Sequence, residues 1–184
     1  MSVSIAFAQT TIALRDMLQT ALRLDAGWRL TGGVPRVTIS PHGAPGDPSG
    51  ARLDLALVAA SPSLQRRNRP PDPRAEREPP LVFDLRYLIT AHMLLPLHAE
   101  LLLGAALEVL LGNPVLRRQS APIHDALETV IMAGAGGMSD DPPRLAVEVA
   151  DAPRDIGLGP VLLIRVSPVI FAPRRSTPLP VIER

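Results

Sequence analysis

Between Leu81 and Leu116 the chain reads LVFDLRYLITAHMLLPLHAELLLGAALEVLLGNPVL, and this segment constrains the fold more than any other. Its first part puts Leu81, Phe83, Leu85, Tyr87 and Ile89 on one side, the period-two pattern of a strand with a buried face. Its second part is apolar almost all the way round a helix. A helix that covers one side of a domain needs one apolar stripe, whereas a helix apolar on every side needs cover on several. A chain of 184 residues has little to spare for that, so part of the cover is expected from another subunit. Pro96 suits a first helical turn. Gly112 falls just past the expected end and Pro114 forbids continuation, which bounds the helix near 95 and 111. Gly104, Ala105 and Ala106 leave a shallow face in its middle, where another backbone can come close.

The rest of the chain supplies partners for this unit. From Ile5 to Leu24 an apolar stripe of Ile5, Ala8, Ile12, Leu14, Leu18, Ala21 and Leu22 predicts a helix, with Arg15, Asp16 and Gln19 on its wet side. Val34 to Ser40 is a short strand candidate. Pro41 to Gly50 is rich in proline and glycine and reads as a loop or hairpin connection. Arg52 to Val58 alternates, with Leu53, Leu55 and Leu57 inward and Arg52, Asp54 and Ala56 outward. Ser61 to Pro80, SPSLQRRNRPPDPRAEREPP, is a stiff loop with five arginines and three acids. A short helix over Ala121 to Met132, a flexible loop over Gly134 to Pro143, and strands over Arg144 to Val149 and Val161 to Phe171 complete the domain, 1–171. A proline-rich tail, 172–184, follows. Helix, strands, helix, strands is an α+β order, without regular βα alternation.

Composition closes several routes to chemistry. All 19 basic residues are arginine, and there is no cysteine. No lysine means no phosphate-loop lysine and no Schiff base; no cysteine means no thiol nucleophile, disulfide or zinc finger. A formal charge of +1 gives no bulk attraction for nucleic acid or membrane. The first residues lack the basic and apolar regions of a signal peptide. The apolar stretch Leu94 to Leu111 carries His98, Glu100 and Glu108 and is too short and polar for a comfortable membrane span.

Few residues suggest a reactive site. Asp54 and Asp84 fall on neighbouring strands, where a pair of carboxylates could do acid/base work; the plainer expectation is that they pair with Arg52 and Arg86 across strands. His92 and His98 are six apart, wider than the three or four of helical metal ligands. His124, Asp125 and Glu128 contain one histidine, and the glycines of AGAGGMS lack the Gly-Lys-Ser/Thr of a phosphate loop. No catalytic residue, metal ligand or cofactor is expected. The concentrated charge is Arg66, Arg67 and Arg69, read either as a solvated loop or as a docking loop for an acidic partner.

Five segments, in order and at consistent spacing, carry a likeness. They are SIAFAQTTIALRDML, ARLDLALVAASPSLQRRN, PPLVFDLRYLITAH, LHAELLLGAALEVLLGNPVL and the closing SPVIF, spanning about Ser4 to Phe171. Together they resemble the tube-terminator, or cap, proteins of phage-tail-like extracellular contractile injection systems of the Photorhabdus virulence cassette and antifeeding-prophage type. Leu64 and Asn68 match the family's turn after the second strand, and Asn113-Pro114 its turn after the long helix. Many members carry a longer helical insertion before the closing strand, often with a tryptophan; here that region is DAPRDIGLGP, and the single tryptophan is Trp28.

The resemblance implies a tail-terminator-like single domain, a mixed or antiparallel sheet packed with two main helices. It implies a hexameric ring at the distal end of an inner tube, stopping tube growth and holding the last sheath layer, with inner tube and sheath proteins as partners. It brings no catalytic residues. Such a protein is made in the cytoplasm and joins a particle that can be released to the extracellular space. The residues expected at oligomer or partner contacts are Arg66, Arg67, Arg69, Leu97, Leu101, Ala105 and Leu110. Three other readings stay open: a baseplate or collar adaptor of the same particle, a small hydrolase or metal enzyme with a polar pocket, and a nucleic-acid-binding module.

Overall fold

The computed structural model describes residues 3–25, 27–28, 33–40, 50–63, 81–116, 144–148 and 161–171. In chain order these form α1 (Val3–Leu24), β1 (Arg36–Ile39), β2 (Arg52–Pro62), β3 (Leu81–His92), α2 (Pro96–Gly112), β4 (Arg144–Glu148) and β5 (Val161–Phe171). One sheet holds the strands in the order β1-β2-β3-β5-β4. β1 runs parallel to β2, and the other neighbours are antiparallel. The α+β class and the mixed sheet with two main helices are therefore as expected. The expected helix over Ala121 to Met132, the loop over Gly134 to Pro143, most of the arginine-rich loop and the 172–184 tail lie outside the described residues.

The core follows from strand register. Leu55 of β2 stands opposite Ile89 of β3, which stands opposite Leu162 of β5. Leu53 and Ala91, and Tyr87 and Ile164, extend the same face. Side chains of one parity share one side of a sheet, so these rows make a continuous apolar surface. Leu14, Leu18 and Leu22 of α1 and Leu102, Ala106 and Leu110 of α2 belong to the same buried cluster. Phe7 of α1 meets Phe83 edge-on, ring centroids 5.2 Å apart, a favoured aromatic geometry.

Several boundaries differ from expectation, each for a local reason. β2 does not stop at Val58. Its register shifts between Leu57 and Ala59, and the strand continues to Pro62. The bulge breaks the inward alternation, so Leu57 and Val58 are exposed. β3 runs three residues past Ile89, because Thr90, Ala91 and His92 pair with Asp54, Leu53 and Arg52. The link from β1 to β2 is not a hairpin, since a hairpin would make these strands antiparallel. Gly112 is the last residue of α2 rather than the one past it, and Asn113 closes the helix. Its backbone N–H and its side-chain Nδ2 both donate to Val109 O, at 3.1 and 2.8 Å. That supplies donors at the helix end without a left-handed glycine.

α1 also guards the edge of the sheet. Gln19 Nε2 donates to Pro35 O at 3.1 Å, and its Oε1 accepts from Val37 N at 2.8 Å. The amide thus occupies backbone groups that an edge strand would otherwise offer to another strand.

Tyr87 lies fully inside this core. Thr11 donates to Phe7 O at 2.9 Å, which leaves its Oγ1 to accept from the Tyr87 hydroxyl, also at 2.9 Å. Burial pushes the phenol well above its usual range. An unfolded tyrosine ionises near pH 10. Above that pH the unfolded chain releases a proton that the folded chain keeps, so stability falls as pH rises, by about 1.4 kcal/mol per unit for this one group. Tyr87 is the only tyrosine, so its ultraviolet ionisation band reports this site alone. The band is expected to stay silent at pH 11 while the far-ultraviolet circular dichroism is native, and to appear only on unfolding. Tyr87→Phe should remove that part of the alkaline slope.

Candidate functional site

The two faces of α2 have different surroundings. Ala99, Leu102, Leu103, Ala106 and Leu110 are buried, recurring at the helical spacing of one face. The opposite side carries Leu97, Leu101 and Leu111, which are 66%, 55% and 63% exposed. Gly104 and Glu108 complete that row at alternating intervals of four and three. Leu94 and Leu95, just before the helix, are exposed as well. Isolated exposed leucines are ordinary, but several aligned along one helix mark an interaction surface. Covering each fully would contribute about 2 kcal/mol. Space beside Gly104 is open: a Cβ built there meets nothing within 4 Å.

The expected contact residues divide accordingly. Leu97 and Leu101 stand on the outward row. Ala105 is half-buried and packs against the core. Leu110 is 1% exposed and committed to the chain's own core, so Leu111 takes the outward place assigned to it. Arg66, Arg67 and Arg69 lie outside the described residues.

A polar cluster occupies the other sheet face, at the ends of β1, β2 and β3. Asp54, read from alternation as an outward residue, is buried. It accepts from Arg52 Nε at 3.1 and 3.2 Å and from the Thr38 hydroxyl. His92 Nε2 lies 3.1 Å from its Oδ2. Arg52 thus binds Asp54 along one strand, not across strands as expected. Asp84 accepts from the Ser167 hydroxyl, in place of the expected Arg86 pairing. Asp54 faces Thr90, whereas Asp84 faces Ser61. Six residues of strand separate the two acids, about 20 Å, so they form no acid/base pair.

Asp16, expected on the wet side of α1, is also buried, 2.7 Å from Arg15 Nη2. Sequence reasoning missed both it and the Asp54 contacts, because partner side chains rather than apolar neighbours enclose them. His98 lies half-buried on α2. Among the described residues, no three His, Asp or Glu side chains gather closely enough to hold a metal ion. No helix among them is long and apolar enough to cross a membrane.

No curated protein matches this chain. A solved structure described as the PVC sheath/tube terminator of an extracellular contractile injection system, in its extended state, is similar at 15% identity and a TM-score of 0.45. The match covers 94% of this chain, which spans 61% of that one. Residues 9–153 match the family described as Pvc16 N-terminal domain. The match takes in four of the five resembling segments, all but the first residues of the opening one, and stops short of the closing SPVIF. Because it spans most of the chain, the protein belongs to the Pvc16 N-terminal domain family.

Proposed function

We propose that this protein is a structural terminator: a ring subunit that caps the distal end of the inner tube of an extracellular contractile injection system and holds the last sheath layer. The observation that carries this reading is the outward face of α2, with Leu97, Leu101 and Leu111 aligned in water, in a chain of the Pvc16 N-terminal domain family. A ring subunit needs a surface that its neighbour covers, and cyclic rings close through head-to-tail contacts. The reading takes the ring as a hexamer, with tube and sheath proteins as partners and no catalytic step. It has the ring assembled in the cytoplasm and travelling with the particle.

Changing Leu97 and Leu101 together to glutamate tests the contact. Both side chains are already largely in water, so the unfolding free energy should move by no more than about 0.5 kcal/mol. Two buried charges per interface should abolish association. Native mass measurement, free and on tube, is expected to give a hexamer for the wild type and a monomer for the variant. Wild-type protein that stays monomeric both free and on tube would end the ring reading.

A further inference from the structure

A cleft separates α1 from β1. Its volume is about 260 Å³, and it is open on one side. Arg15, Asp16 and Arg23 line it from the helix, and Arg36 and Thr38 from the strand. Three guanidiniums therefore face one carboxylate, in a chain whose overall charge is nearly balanced. Arg15 and Asp16 are ion-paired at 2.7 Å, with side chains 15% and 5% exposed, so their charges offset one another in the wall. Arg23 and Arg36 are exposed and form no ion pair among the described residues. Among the described residues they are the cleft's unpaired charge.

Chemistry narrows the occupant. Arginine presents a planar fork that matches a carboxylate through two parallel hydrogen bonds. The cavity is smaller than the roughly 300–1,000 Å³ typical of sites for drug-sized molecules, and suits one or two side chains of a longer segment. No aromatic residue lines it, so nothing there would stack a base. Gln19 already fills the backbone groups at Pro35 and Val37, so recognition here runs through side chains rather than by adding a strand.

We propose that this cleft docks an extended acidic segment of a partner protein, with its carboxylates held by Arg23 and Arg36. The proposal rests on the cleft itself and is independent of the ring reading, since it uses no residue of α2. Labelled N-acetyl tetraglutamate is the probe, titrated with the full chain at low salt and followed by fluorescence anisotropy. Saturable binding is expected, with no comparable binding of tetraglutamine. The double variant Arg23→Gln/Arg36→Gln should weaken binding at least ten-fold with unchanged circular dichroism. Arg86→Gln, an exposed arginine on β3, should leave binding intact. Equal binding of tetraglutamine, an unaffected double variant, or equal weakening by Arg86→Gln would each overturn the proposal. So would micromolar displacement by inorganic phosphate, which would make the cleft a small-anion pocket.

Discussion

Leu102→Ala is expected to lower the unfolding free energy by about 2–5 kcal/mol, while Leu101→Ala, one residue away, changes it by no more than about 0.5 kcal/mol. Leu102 is fully buried in the cluster that joins α1, α2 and the sheet. Truncation there removes transferred apolar surface and leaves a cavity among residues fixed by strand register, which relax only in part. Leu101 is more than half exposed, and its truncation leaves the core untouched. Denaturant unfolding of both variants at a concentration that keeps the protein monomeric checks the contrast. Equal losses at the two positions would mean that α2 is not oriented as described.

Asp54→Ala should cost about 3 kcal/mol, a large effect for a position that alternation reads as surface. The carboxylate is the shared acceptor for Arg52 and Thr38 and faces His92. Removing it takes from Arg52, whose side chain is only 12% exposed, the carboxylate to which its Nε donates, and breaking one side of a buried pair is costly. Asp54→Asn keeps the shape and some hydrogen bonding and should lose less. The cluster joins β1, β2 and β3 at one end of the sheet, so hydrogen exchange in β1 is expected to speed up more than exchange in β5. A loss under 1 kcal/mol for Asp54→Ala would show that the cluster is open to water.

The elements that sequence reasoning places well are those bounded by covalent constraints. Pro96 and Asn113-Pro114 bracket α2 to within a residue, because proline suits a first turn and cannot continue a last one. β3 reads clearly because its alternation from Leu81 to Ile89 is unbroken, whereas the pairing of β5 with it shifts register between Phe83 and Leu85. The faces of α2 were not legible: Leu110 and Leu111 are the same residue type, and only the packed fold decides that one is core and the other water-facing. Asp16 and Asp54 were misplaced for the converse reason, since polarity is a proxy for exposure and fails where arginine, threonine and histidine supply the partners. Nor does the composition of the segment after β1 distinguish a hairpin from a connection that returns the chain for parallel pairing. Gln19, which ties α1 to β1, carries no local signal, because its partners are backbone atoms sixteen and eighteen residues away.

The central claim is that this protein ends a growing tube. A tube of stacked rings keeps adding subunits until its end presents a surface that cannot accept the next ring. The most direct measurement is the tube length distribution, by electron microscopy, in particles from cells that lack this protein. The account predicts a broad distribution with open or irregular distal ends, restored to a single length by wild-type protein but not by the Leu97→Glu/Leu101→Glu variant. Particles of normal, uniform length with a normal distal end would contradict it.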